Sequence, residues 1–213
     1  MSLTGAFDAF ASIDERGVNR AFTDFFTARP HYLHYGSAPF VAASSISSTQ
    51  VSAIAFPGVP GGIPYAVDLT IPVVDLFPPN APLPAPLVMN PDELSITTTA
   101  SITLGCQAGK EQRGDVSPVT TDLDVIAIGK PLSAFLSPGV GWVSFQITQV
   151  LVEGITPATL QSVVDCLLEM ILNAVLSGVE LPFNLIDVEF FKLSLDAGPT
   201  IADNQIKIWG EIS

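Results

Sequence analysis

The sequence is poor in basic residues. Eight Lys and Arg stand against 21 Asp and Glu, which gives a formal net charge of −13 at pH 7. A surface with this balance repels phosphate backbones and anionic lipid headgroups. The composition therefore argues against nucleic acid as a partner.

Cysteine and histidine are also scarce, with two residues of each. Cys106 and Cys166 lie far apart and show no Cys-x-x-Cys spacing, so they are free buried thiols or one disulfide, and the composition favours thiols. His31 and His34 are three residues apart, but Pro30 opposes a helix through them and no nearby carboxylate or thiol completes a site. We expect neither a metal nor another cofactor.

Recognisable catalytic motifs are missing as well. The sequence has no Gly-x-Ser-x-Gly elbow, no Cys-His arrangement of a known type and no phosphate-binding loop. Four aspartates on or near predicted strands suit the solvent face as well as they suit a glycosidase pair: Asp68, Asp75, Asp122 and Asp124. We expect no enzymatic activity.

The first residues carry no basic segment followed by an apolar run, so no secretory signal is visible. As written, the sequence predicts a cytoplasmic protein, unless a leader has been removed. Hydrophobic residues make up 48% of the chain and charged residues only 14%. This pairing indicates either extensive burial or an apolar surface that binds something.

Two amphipathic helices are predicted. Ser12 and Glu15 have the spacing of a capping box, which predicts a helix over residues 13–29 with an apolar face that includes three phenylalanines. A second helix, over residues 157–177, would be about 32 Å long. Its polar stripe excludes a lone transmembrane span, and it lacks the basic residues that anchor helices on anionic membranes. The apolar side of this second helix therefore meets protein, or something bound inside the protein.

Between the helices, Val, Ile and Thr alternate with polar residues, which predicts a long β region. Residues 94–106 predict a strand of about 43 Å. Further strands are expected at 65–77, where Pro72 indicates an edge or a bulge, at 121–129 and at 142–152. Residues 77–91 contain six prolines and predict a surface crossing or rim loop. Two closing strands follow the second helix, joined by a turn at 196–199 or at 203–205.

This order of elements, and the ending from Leu172 to Ile212 with its Gly178-Val179-Glu180-Leu181-Pro182 turn, resembles the tubular lipid-binding (TULIP) superfamily. That superfamily includes the bactericidal/permeability-increasing protein and the takeout-like proteins. The resemblance implies a single α+β domain over residues 1–213. In it, a long, highly twisted antiparallel sheet wraps around the long C-terminal helix, with a second helix at the N-terminus.

The resemblance also implies a function: non-enzymatic binding or carriage of a lipid or other apolar small molecule in a tunnel between helices and sheet. The residues that would line the tunnel are Phe22, Phe25, Phe26, Val164, Leu167, Leu168, Ile171, Leu172 and Val175. Read from the residues alone, the apolar stripe of the second helix favours a solid core over a tunnel wall, and only the resemblance makes the two interpretations equal. The alternative function is a structural or interaction protein whose apolar groove is covered by self-association or by a partner subunit. Apolar walls select by size, so the sequence does not name the ligand.

Overall fold

The computed structural model describes residues 9–56, 59–105, 118–137, 140–153, 168–169, 171–173, 175–176, 181–184 and 193–212. Over these residues the chain is mostly antiparallel sheet with two α-helices, which agrees with the expected α+β class. The second helix, α2, is described at residues 168, 169, 171–173, 175 and 176. The other elements are β1 (Ala9–Asp14), α1 (Glu15–Ala28), a 3-10 turn (Pro30–Tyr32), β2 (His34–Gly36), β3 (Thr49–Gln50), β4 (Ile54–Phe56), β5 (Val59–Ile63), β6 (Tyr65–Leu69), β7 (Val73–Leu76), β8 (Leu94–Leu104), β9 (Val119–Ser137), β10 (Val140–Val152), β11 (Leu181–Asn184), β12 (Leu193–Ala202) and β13 (Gln205–Ile212).

One large sheet dominates the structure. Its strands follow the order β11-β10-β9-β8-β6-β2-β3, β7 also pairs with β8, and the sheet curls into a half-barrel. All pairs in it are antiparallel except β2 with β3. A three-stranded sheet, β1-β13-β12, and the β4-β5 hairpin complete the strands. We call the side of the large sheet that packs on α1 and α2 the inner face and its other side the outer face.

The capping-box prediction for the first helix is wrong. Asp14 is the N-cap of α1, and its Oδ1 accepts a hydrogen bond of 2.7 Å from the backbone N–H of Gly17. Ser12 lies in β1, opposite Lys207 of β13. The backbone of residues 9–14 pairs with a distant strand, so the helix cannot begin within that segment. It begins after Asp14, the next residue whose side chain can form an N-cap. A local sequence pattern cannot reveal that strand pairing.

The strand predicted at 65–77 is interrupted. β6 ends at Leu69 opposite Ala100, and β7 begins at Val73 opposite Thr97, so residues 70–72 bulge from the ladder. Pro72 has no N–H to donate, which makes a regular ladder impossible at this point. We call residues 70–72 the strand break.

The prediction that the proline-rich segment 77–91 lies outside the strands is confirmed, but the segment is more than a surface crossing. Leu87 and Met89 are buried at 7% and 8% exposure and pack with Ile128 of β9. The side chain of Ile128 lies on the outer face, because it alternates with the inner-face residue Ala127. The segment therefore builds a second, small core on the outer face.

The two closing strands are confirmed, and their turn is the second of the two expected. Asp203 and Asn204 both have φ of 55° between β12 and β13. This is the left-handed conformation that two-residue hairpin turns require, and Asn and Asp tolerate it well. Residues 196–199 lie inside β12, where the register with β13 shifts twice.

The long C-terminal helix is described only in part. The described residues of α2 are helical and lie within the predicted span 157–177. Residues 154–167 lie outside the described residues, and so does the predicted capping of this helix. Cys106 and Cys166 are outside them too.

Candidate functional site

The inner face and the two helices enclose one hydrophobic cluster. Alternate residues of the strands point into it, since side chains alternate between the faces of a strand. β8 contributes Leu94, Ile96 and Ala100, and β10 contributes Val143, Phe145 and Ile147. The closing hairpin adds Ile201 and Ile206. This cluster is the space in which the sequence predicts a ligand.

The structure brings together seven of the nine predicted ligand-binding residues. Five are buried at 0–1% exposure in the cluster, and two are half-buried and packed against it. The buried ones are Phe22, Phe26, Leu168, Leu172 and Val175, and the half-buried ones are Phe25 and Ile171. Val164 and Leu167 lie outside the described residues.

Aromatic rings join α1 to the sheet. The ring centroid of Phe22 lies 5.8 Å from that of Phe26 and 5.6 Å from that of Phe145, both in edge-to-face geometry. Phe25 meets Phe26 at 5.1 Å. Phe145 was absent from the predicted site, although its alternation with Val143 and Ile147 marks it as an inward residue of β10.

This burial suits two states of the molecule equally. Side chains at 0–1% exposure are expected of a solid core, and also of a tunnel wall that has closed around itself without a ligand. Placement in one cluster is therefore established for these seven residues, and the ligand-binding role stays a prediction.

Burial falls steadily toward one end of the inner face. On β8, Ala100 is fully buried, Ile102 is half-buried and Leu104 is 47% exposed. Val119, the β9 residue directly opposite Leu104, is 66% exposed. We call Ile102, Leu104 and Val119 the open end. It continues the apolar face of the cluster into solvent.

Two tyrosines lie on the strands next to the open end. Tyr65 of β6 lies opposite Leu104, and burial raises the pKa of its hydroxyl. On β2, burial and then the neighbouring Tyr32 raise the pKa of Tyr35 to about 12. Both phenols are therefore neutral at physiological pH. Neutral phenols beside apolar side chains suit a hydrocarbon better than a charged group.

The two histidines take part in local contacts. The ring of His31 stacks at 4.4 Å on that of Tyr32, as the aromatic-packing interpretation expects. Nδ1 of His34 lies 2.8 Å from Oδ1 of Asp68 on the outer face. Within the described part of the chain, no three His, Cys, Asp or Glu residues are placed to hold a metal ion. No described helix has the length and apolarity needed to cross a bilayer.

The chain resembles known proteins in structure only, and only weakly. The sequence matches no known protein family and no characterised protein. The solved structures that resemble it include a crystal structure of lipopolysaccharide binding protein, at 14% sequence identity and a TM-score of 0.33. The match covers 95% of this chain and 49% of that protein, so the chain spans about half of its length. At that level of similarity, function has to be argued from the geometry of this chain.

Proposed function

We propose that this protein is a TULIP-like module that binds a lipid or another apolar small molecule between its helices and the inner face, without catalysis. The observation that supports the proposal most directly is the open end. There the apolar lining of the cluster reaches solvent at Leu104 and Val119. A sheet that only covers a core has no need of large apolar side chains beyond the covered region.

The energetics favour a hydrocarbon as the ligand. Each buried CH₂ group contributes about 0.8 kcal/mol, so an acyl chain that enters at the open end gains affinity without a charged contact. The phenylalanines of α1 lie deeper in the same cluster and would form its inner wall. The net charge of −13 disfavours an anionic headgroup and favours a neutral or zwitterionic lipid.

Native mass spectrometry of freshly purified protein, with organic extraction of the same sample, tests this function. We expect a bound lipid mass, and displacement of that lipid by a fluorescent monoacylglycerol, which carries no charge. A mass equal to that of the bare chain, with no saturable uptake of the probe, would contradict the proposal.

Two matched variants locate the site. Leu104→Glu places a charge at the open end, and Leu132→Glu does the same at a leucine of β9 that is 42% exposed and lies at an outer-face position. We expect the first variant to weaken probe uptake by about tenfold or more, since a carboxylate at the entrance must lose water as the chain enters. The second variant should bind like the unaltered protein. Equal effects would show that binding does not use the open end.

The alternative occupant of the open end is another protein surface. The observation that favours it is the same pair of exposed residues, because apolar patches also mark protein contacts. Light scattering after size-exclusion separates the two functions. A dimer that Leu104→Glu dissociates, with no lipid in either sample, would support self-association as the function.

A further inference from the structure

A cavity opens on the outer face of the large sheet. Its volume is about 410 Å³, which falls within the range of small-molecule sites of about 300–1,000 Å³. It lies over β8 and β9, beside the strand break, and we call it the outer groove. Thr97 and Thr99 line it from β8, and Asp124 and Ile126 line it from β9.

The strand break creates this groove. Because residues 70–72 leave the ladder, side chains rather than a regular strand fill the gap next to β8. The Thr70 and Thr98 hydroxyls lie 3.1 Å apart, Thr98 Oγ1 donates to the Thr70 carbonyl at 2.8 Å, and the Thr99 N–H donates to Thr70 Oγ1 at 2.9 Å. These bonds fix the walls, so the groove is built into the fold.

One wall of the outer groove is apolar. Ile71 and Ile126 are half-buried there, and Val73 is 56% exposed. Ile126 also packs against the small core beneath the proline-rich segment. The groove therefore begins where that segment stops covering the outer face, and it offers a hydrocarbon surface to a ligand.

The other wall carries two carboxylates. Asp124 and Glu153 are held side by side, because the Glu153 N–H donates to the Asp124 carbonyl at 3.0 Å. Thr99 Oγ1 donates to Asp124 Oδ1 at 3.3 Å, which orients that carboxylate. None of the described residues that line the groove is Lys, Arg or His. Among the described ion pairs, none includes Asp124 or Glu153.

We propose that the outer groove binds a small organic amine. Its ammonium group would lie between the Asp124 and Glu153 carboxylates, and its apolar body would lie on Ile71, Val73 and Ile126. An ammonium has three donors and no acceptor, which matches a wall of carboxylate and hydroxyl oxygens. An anion of the same shape meets two like charges and, among the described lining residues, no compensating base. This site opens on the outer face, although Ile71 also packs against the cluster, and the proposal does not rest on the proposed lipid site.

Titration with two probes of similar shape tests the proposal. Phenethylamine is a cation at neutral pH, and 3-phenylpropionate is an anion. We expect phenethylamine to shift the amide NMR resonances of Thr97, Thr99 and Ile126 saturably, and to bind at least about tenfold more tightly than the carboxylate. Equal affinity of both probes, or no saturable shift with either, would overturn the proposal.

Isosteric variants separate this site from general charge attraction. Asp124→Asn combined with Glu153→Gln should weaken phenethylamine binding at least about fivefold, since both charges leave and the side-chain shapes stay. Asp122→Asn is the control, because Asp122 lies two residues from Asp124 on the same face, accepts from Ser101 and does not line the groove. We expect no change in that control. An equal loss in both variants would show nonspecific attraction and would refute the site.

Discussion

The side-chain amide of Asn19 on α1 pairs with the backbone of Val74 on β7 as a neighbouring strand would. Nδ2 donates to the Val74 carbonyl at 2.7 Å, and the Val74 N–H donates to Oδ1 at 2.7 Å. One turn earlier, Glu15 Oε2 accepts from the Leu76 N–H at 3.0 Å. Among the described strands, β7 pairs only with β8, and these side chains satisfy its other edge and fix α1 on the sheet.

Replacing Asn19 with alanine should cost about 1–3 kcal/mol of unfolding free energy, because a partly buried N–H and carbonyl of β7 lose their partners. Thr23→Ala is the control on the same helix. The Thr23 hydroxyl is exposed and donates to a helix carbonyl, so its loss should change stability by less than about 0.5 kcal/mol. Urea unfolding measures both. Equal losses would mean that the Asn19 pairing contributes nothing to stability.

Asp75 should make stability depend on pH. Burial, and then repulsion from Glu15, raise the pKa of Asp75 above its ordinary 3.8, against the hydrogen bonds that Asn80 donates to it. A carboxyl with a raised folded pKa binds its proton more tightly in the folded state. Its contribution to stability is therefore complete below pH 3.8 and is lost as pH rises through the folded pKa.

Comparison with Asp75→Asn isolates this effect. The unfolding free energy of the unaltered protein, relative to that of the variant, should fall as pH rises through the folded pKa. Denaturant midpoints measured across that range give the curve. In Asn80→Ala the curve should move slightly to higher pH, because the side-chain amide that donates to Asp75 and lowers its pKa is lost, while the backbone N–H of residue 80 still donates. A flat difference between the unaltered protein and Asp75→Asn would contradict the raised pKa.

The proline-rich segment should contribute to stability mainly through its buried residues, Leu87 and Met89. Leu87→Ala removes a side chain that is 7% exposed and should cost about 2 kcal/mol or more. The adjacent Val88 is 59% exposed, and Val88→Ala should stay within about 0.5 kcal/mol of the unaltered protein. Thermal and chemical unfolding measure the stability of both variants. If both variants are neutral, the segment is not part of the folded core.

Phe22 should be the most sensitive position on α1. It is fully buried between Phe26 and Phe145, so Phe22→Ala should cost about 3–5 kcal/mol. Phe25→Ala should cost less, because Phe25 is only half-buried, even though the variant also loses the Arg29 guanidinium that lies 4.7 Å from the ring centroid. Unfolding with and without an added neutral monoacylglycerol measures the stability of both variants. A monoacylglycerol that stabilises the unaltered protein but not Phe22→Ala would support Phe22 as part of the ligand wall.

The sequence by itself determined the α+β class, the helix before the long β region, a long strand that begins at Leu94, and a closing pair of strands whose turn it placed at 196–199 or at 203–205. It did so because the spacing of apolar residues and the conformational preferences of Asn, Asp and Pro act locally. It also selected seven residues that the fold brings into one cluster. Pro72 marked the interruption of a strand, although not the groove beside it.

Only the tertiary structure decided the features that depend on distant pairing. Ser12 follows a capping pattern, yet it is in a strand because β13 pairs with it from the other end of the chain. Leu87 and Met89 are buried because the outer face of β9 lies beneath them. The open end and the outer groove likewise arise where one element stops covering another. The periodicity of the sequence shows which side of a strand is apolar. Three-dimensional packing decides how far along the strand other elements cover that side.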